Sequence, residues 1–166
     1  MISIYFLRHG IAEEPKPGQL DCERRLTEEG IVKMCAEAAA LSRMDLKLDT
    51  IVTSPYARAL KTAEIVAEAL GMSDRLEIEP GLGYGFRLGD LERIIRSRPQ
   101  ARRIMLVGHN PDFSIIPGQL VGGATIDLKK GGLIRVDIDA VELGAGILRW
   151  LIPPSVLIGS VIKGET

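Results

Sequence analysis

The chain has 166 residues, 46% of them hydrophobic and 26% charged, the balance of an ordinary globular protein and not of a disordered one. Its formal net charge of -1 offers no general field for nucleic acid or an anionic membrane surface, so any attraction for phosphate must come from locally placed cations. No stretch reaches the length of a membrane span, and apolar Met1 to Leu7 is too short for a secretory core before Arg8 and His9 interrupt it.

Ile2 to Leu7 is a short β-rich run that stops at Gly10 and predicts a buried strand. A polar loop from Ile11 to Arg25 follows. Thr27, with Glu28 and Glu29 behind it, predicts a capped helix whose stripe is Ile31, Met34, Cys35, Ala38 and Leu41. That stripe places Cys35 in the core, while Cys22 lies in the loop. The two cysteines form neither a disulfide framework nor a metal knuckle, and a reducing cytoplasm is the expected setting.

A second strand, Leu48 to Thr53, ends at Ser54-Pro55, which predicts a helix capped by Ser54 with Pro55 in its first turn. Its stripe is Ala59, Ala63, Val66 and Leu70, and Gly71 closes it. Leu76 to Glu79 predicts a short strand, Leu82 to Gly85 a flexible Gly-rich loop, and Leu88 to Ser97 a helix stopped before Pro99. Arg103 to Val107 is a third clear strand, followed by Gly108-His109-Asn110-Pro111 and a helix from Phe113 to Val121 that Pro117 should kink. Leu133 to Ile138 and Ile147 to Ile152 predict two closing strands. Strands alternating with helices imply a three-layer α/β/α sandwich with a mainly parallel central sheet, the last two strands forming an antiparallel edge. With no repeat and no linker, residues 1–166 are expected to form a single domain.

In such sheets ligands bind beyond the carboxyl ends of the strands. Three strand ends carry unusual residues: Arg8-His9-Gly10, Ser54-Pro55 with Arg58 one turn on, and Gly108-His109-Asn110-Pro111. The sequence holds only two histidines, and each follows directly from a predicted central strand. Neither has acids or further histidines at coordinating spacing, so no metal is expected. Gly-x-Ser-x-Gly and a Walker loop are both missing. Arginine favours phosphate because its planar fork binds two oxygens at once, and Arg58 sits in a first helical turn, where free N–H groups favour an anion.

Phe6-Leu7-Arg8-His9-Gly10, Ser54-Pro55-Tyr56-Ala57-Arg58 with Thr62, and Val107-Gly108-His109-Asn110-Pro111 together resemble the motifs of the histidine phosphatase (phosphoglycerate mutase-like) superfamily. The minimal length and the Asp21-x-x-Arg24-Arg25-Leu26-Thr27-x-x-Gly30 segment are similar to the small SixA-type phosphohistidine phosphatases. The resemblance implies that His9 attacks phosphorus to form a phosphohistidine intermediate, which water then hydrolyses. It implies that Arg8, Arg58 and His109 hold the phosphoryl oxygens, with Arg24 as a further phosphate ligand and Arg25 as its rival. No metal or cofactor is implied.

The chain departs from the family at the proton donor for the leaving group. Asn110 stands where acid phosphatases have Asp, and Pro80-Gly81-Leu82 stands where a Glu is often found. Glu13, Glu14 and Asp112 are spare acids, each expected on a solvated surface. A missing acid favours a P–N bond, because a protonated imidazole leaves more readily than an alcohol. The expected substrate is therefore phosphohistidine on a protein. The alternatives are a phosphomonoesterase for a small phosphorylated metabolite and a non-catalytic phosphate-binding module.

Overall fold

Strand β1 (Ile2–Arg8) alternates Ile4 and Phe6 on one face with Tyr5 and Leu7 on the other, and all four are buried. A strand apolar on both faces belongs inside a sheet that is covered on both sides. The computed structural model, which describes residues 1–162, places it there. β1 pairs in parallel with β4 (Arg103–Gly108) and antiparallel with β5 (Leu133–Ile138). Beyond β4 lie β2 (Thr50–Thr53) and the short β3 (Leu76–Ile78), both parallel, and β6 (Gly146–Ile152) pairs antiparallel with β5 at the other edge. The order is β3-β2-β4-β1-β5-β6, so the mainly parallel sheet with an antiparallel edge is as the sequence predicts.

Helices α1 (Glu28–Arg43), α2 (Ala57–Ala69) and α5 (Pro154–Ile162) cover one face, and α3 (Leu88–Arg96) and α4 (Asp112–Leu120) the other. Each face has its own core: Tyr5, Leu7, Met34, Leu41, Val66 and Leu157 on the first, and Ile4, Phe6, Leu91, Ile94, Phe113 and Ile134 on the second. Among the described residues no helix is long and apolar enough to cross a membrane.

Three local expectations change. Strand β2 begins at Thr50 instead of Leu48, where the Asp49 carboxylate takes the backbone N–H groups of Arg102 and Arg103. Helix α2 begins at Ala57, with Tyr56 as its N-cap, so Ser54 lies outside it and caps nothing. Helix α5 has no counterpart in the sequence reading. Pro153-Pro154 is a fair helix start, but Gly159 within the run argues against one, and packing of Leu157 into the core decides the matter.

Thr27 caps α1 as expected, its hydroxyl accepting from the Gly30 N–H at 2.9 Å. The buried stripe is rotated from the predicted one: it runs through Gly30, Met34, Glu37, Ala38 and Leu41, and Cys35 is exposed. Packing of α5 alongside α1 turns Glu37 inward in place of Cys35. The Glu37 side chain is 2% exposed and its Oε2 has no hydrogen-bond partner among the described residues. Burial pushes its pKa from 4.5 up to about 8, against a weaker opposing pull from Lys33.

The sign of the effect on stability follows. Between those two values the folded chain holds a proton that the unfolded chain has lost, so the Glu37 contribution to stability falls as pH rises from 4.5 to about 8. Urea unfolding at pH 6 and pH 8.5 checks this. Glu37→Gln is expected to flatten that decline, and Glu37→Leu to raise stability at the higher pH by about 1–3 kcal/mol.

Candidate active site

Strands β2, β4 and β1 are parallel neighbours, with Thr53 opposite Val107 and Gly108 opposite Arg8, so their carboxyl ends lie side by side. The ladder runs one step further at both junctions. The His9 N–H donates to the Gly108 carbonyl at 3.1 Å and the Ser54 N–H to the Val107 carbonyl at 3.0 Å. These bonds bring the two histidines together, with ring centroids 5.3 Å apart.

Glycines make the junctions possible by close approach. A Cβ on Gly108 would lie 2.5 Å from the Phe113 ring, and one on Gly10 would lie 2.7 Å from Met34 Cγ. The Gly10 N–H donates to Thr62 Oγ1 at 3.1 Å, and Thr62 in turn donates to the Arg58 carbonyl at 2.8 Å. The turn carrying His9 is thus tied to the first two turns of α2.

His9 is 6% exposed, and its Nδ1 lies 2.7 Å from the Gly10 carbonyl. A carbonyl can only accept, so in the neutral ring Nδ1 carries the proton and Nε2 keeps its lone pair. Nε2 accepts from Arg58 Nε at 3.2 Å. Burial pushes the His9 pKa down to about 3; the Gly10 hydrogen bond opposes this, while His109, Arg58 and Arg8 add to it. The ring therefore needs no deprotonation at neutral pH.

His109 is 1% exposed and is held differently. Its Nε2 lies 2.8 Å from Ser54 Oγ, and Ser54 Oγ also accepts from the Tyr56 N–H at 3.3 Å. The amide donates to that oxygen, and with the hydroxyl proton donated to Nε2 the single proton of the neutral ring sits on Nδ1. That Nδ1 is buried without a hydrogen-bond partner among the described residues. Burial pushes the His109 pKa to about 3, helped by Arg58 and Arg8 and opposed by Asp21. Ser54→Ala removes the group that holds this tautomer. It is expected to weaken competitive inhibition by inorganic phosphate about 5- to 10-fold, read from initial rates, and, by leaving the buried His109 Nε2 without its partner, to cost about 1–3 kcal/mol in urea unfolding.

Arg58 is the largest fully buried side chain, 1% exposed, and each of its nitrogens is engaged. Besides the Nε bond to His9, Nη1 donates to the Asp21 carbonyl at 2.6 Å, and Nη2 donates to Asp21 Oδ2 at 2.7 Å and to the Tyr84 hydroxyl at 3.1 Å. Tyr56 and Tyr84 flank it, with Arg58 Cζ at 5.2 and 5.7 Å from their centroids. The same two rings lie 4.8 and 5.2 Å from the His109 ring.

Arg8 Nη1 donates to the Leu128 carbonyl at 2.8 Å, which leaves its buried Nε without a partner among the described residues. Arg24 reaches the cluster through Asp21: its Nη1 binds Asp21 Oδ1 at 2.8 Å while its Nε donates to the Glu13 carbonyl at 2.7 Å. Asp21 therefore bridges Arg24 and Arg58, an anion lying where arginines converge. Burial pushes its carboxyl up, but hydrogen bonds from Arg24 and Arg58 outweigh this and hold it below its ordinary value. Arg25 is exposed and makes no side-chain contact with the cluster among the described residues.

The spare acids are engaged elsewhere or lie on the surface. Glu13 accepts from Lys16, Gln19 and the Arg25 N–H. Asp112 accepts from the Gly85 and Phe86 N–H groups at 2.9 and 3.2 Å, and Glu14 is exposed. Asn110 Nδ2 donates to the Leu128 carbonyl at 3.2 Å. Among the described residues no three His, Cys, Asp or Glu side chains are grouped to hold a metal ion.

Sequence reasoning missed Asp21, Tyr56, Tyr84 and the true role of Ser54. Asp21 opens the same segment as Arg24, and Tyr56 sits two residues before Arg58, so both stood beside named residues. The Gly-rich loop is no idle connection either, since Asp112 braces it and it sets Tyr84 over His109 and Arg58.

Fold and strand-end chemistry define a phosphate-handling α/β protein. Residues 4–98 match the model of the histidine phosphatase superfamily (branch 1), and the chain belongs to that superfamily. The matched segment ends before His109, whose place beside His9 rests on the geometry above. The chain is 35% identical over 150 residues to an uncharacterized protein of Picosynechococcus sp., covering 87% of this chain and 90% of that one. Two solved structures share the fold. The protein histidine phosphatase SixA complexed with tungstate has a TM-score of 0.82 at 22% identity over 94% of this chain and 99% of that one. A mycobacterial glucosyl-3-phosphoglycerate phosphatase has a TM-score of 0.71 at 16% identity over 90% and 98%. Members of the superfamily are phosphatases, and this chain is a hydrolase of that kind.

Proposed function

We propose that this phosphatase transfers the phosphoryl group of its substrate to His9 Nε2 and works without a metal, most suitably on phosphohistidine displayed by a protein. The observation that carries the reading is the His9 ring itself. Nδ1 is committed to the Gly10 carbonyl, so the lone pair on Nε2 faces the Arg58 guanidinium, where a phosphoryl group would bind. Arg8, Arg58 and His109 would hold the phosphoryl oxygens as charge shifts from the leaving group to the nitrogen, with Arg24 assisting through the position that Asp21 occupies.

Two features favour a P–N substrate. Among the described residues no carboxylic acid is set to protonate an alkoxide: of the acids weighed from the sequence Glu13 and Asp112 are engaged and Glu14 is exposed, and Asp21, within the site, is held ionised between two arginines. The rim is also open, with Tyr84 52% exposed, which suits a phosphoryl group presented on another protein. The fold shared with a glucosyl-3-phosphoglycerate phosphatase keeps a small-metabolite reading as the alternative.

Turnover of a phosphohistidine protein, measured beside a panel of sugar phosphates and nucleotides, separates the two. Higher kcat/KM on the phosphoprotein supports the first reading, and clear preference for one small ester overturns it. Activity lost to a chelator and restored by zinc would overturn metal independence.

A further inference from the structure

We propose that the Tyr84 hydroxyl is the proton donor to the leaving group, the role for which the site offers no free carboxylic acid. This inference rests on His9 being the nucleophile, and holds whether the leaving atom is oxygen or nitrogen.

The geometry runs along one edge of the Arg58 guanidinium. At the Nε end of that edge stands His9 Nε2, at 3.2 Å. At the Nη2 end stand the Tyr84 hydroxyl, at 3.1 Å, and Asp21 Oδ2, at 2.7 Å. Paired N–H groups on a guanidinium edge bind two phosphoryl oxygens side by side. A phosphoryl group seated on that edge lies between His9 Nε2 and the Tyr84 hydroxyl, beside Asp21, with the nucleophile at one end and the phenol at the other. In-line transfer requires the leaving atom at the end away from the nucleophile.

The chemistry of the phenol fits that end. Arg58 donates to the phenol oxygen, so the O–H proton is not used in that bond, and it meets no acceptor among the described residues. Asp21 is a poor donor because its two arginines keep it ionised. The loop is also held in place: Asp112 ties down the Gly85 and Phe86 N–H groups, and the Tyr84 ring packs against Tyr56 and His109.

In the first step, the His9 Nε2–P bond forms as the bond from phosphorus to the leaving oxygen breaks. The phenol proton passes to that oxygen, or to the ring nitrogen that leaves when the substrate is phosphohistidine, which gives a free alcohol or a neutral imidazole and a phenolate beside the Arg58 cation. In the second step, water attacks phosphorus and gives its proton to the phenolate, and the N–P bond breaks. Phosphate is released, with neutral His9 and the phenol restored.

Tyr84→Phe tests this, because it keeps the ring and removes only the hydroxyl. Rates are measured across a series from 4-nitrophenyl phosphate, which needs no proton, through phenyl phosphate to alkyl phosphates. The variant is expected to keep the 4-nitrophenyl rate within about twofold while losing roughly 100-fold on alkyl esters, so its rates depend more steeply on leaving-group basicity. An equal loss across the series would assign Tyr84 to holding Arg58, and no loss anywhere would remove it from the reaction; either result overturns the proposal. Rapid quenching with 4-nitrophenyl phosphate keeps the two ideas distinct. Phosphoenzyme in both wild type and variant sustains the His9 reading whatever the slope shows, and its absence from both overturns that reading and this inference with it.

Discussion

His9→Ala is expected to lower turnover by about 10⁴-fold or more and to yield no phosphoenzyme. Rapid quenching after mixing with a labelled phosphodonor checks it. The wild-type label should be lost in acid and kept in base, as a phosphorus–nitrogen bond on histidine requires. The effect is large because no other group can take over: His109 Nε2 is engaged by Ser54, and the hydroxyls of Ser54 and Thr62 are committed to His109 and to the Arg58 carbonyl. The fold should survive, since the His9 backbone bond to Gly108 needs no side chain. A labelled His9→Ala protein with near wild-type turnover would end the assignment of the nucleophile to His9.

Arg58→Ala is expected to cost about 10²- to 10³-fold in kcat/KM, the usual effect of removing a preorganised donor from a developing anionic charge. The side chain is 1% exposed and makes an ion pair that joins the Asp21 segment to α2, so the variant is also expected to be less stable. Arg58→Lys separates the two effects. It keeps the charge but loses the two-pronged edge, so most of the rate loss should persist while much of the stability returns. Steady-state kinetics with urea unfolding of both variants provides the check. If Arg58→Lys matches wild type, only the charge matters, and the edge geometry at the centre of the site is not needed.

Asp21 gives the same site a second feature. Its carboxylate pairs with both Arg24, at 2.8 Å, and Arg58, at 2.7 Å. The chain of contacts from Glu13 through Arg24 and Asp21 to Arg58 links the loop after β1 to the first turn of α2.

The strands and most of the helices could be read from the sequence because their signals are local. Period-two or continuous apolar runs mark β1, β4 and β5, the Thr27 cap marks α1, and Gly71 marks the end of α2. Burial direction on α1 was not local. Two stripes differing by a small rotation were available, and the α5 contact selected the one with Glu37 inward and Cys35 outward. α5 itself depends on packing more than on propensity, so its sequence alone did not announce it.

For the site, the sequence determined which residues are the candidates. Two histidines and two arginines, each at or just after a strand end, together with the motifs they share with the histidine phosphatases, named His9, Arg8, Arg58 and His109. Tertiary structure decided how those residues are set. It fixed the His9 tautomer through Gly10, turned Ser54 from an expected helix cap into the partner of His109, engaged the spare acids, and placed Asp21 and Tyr84 on the arginine edge. The physical reason is range. Backbone propensity and strand-end glycines act over a few neighbouring residues. A hydrogen bond from Arg58 to Tyr84 or to Asp21 spans 26 or 37 positions, and exists only once the parallel strands have brought their carboxyl ends together.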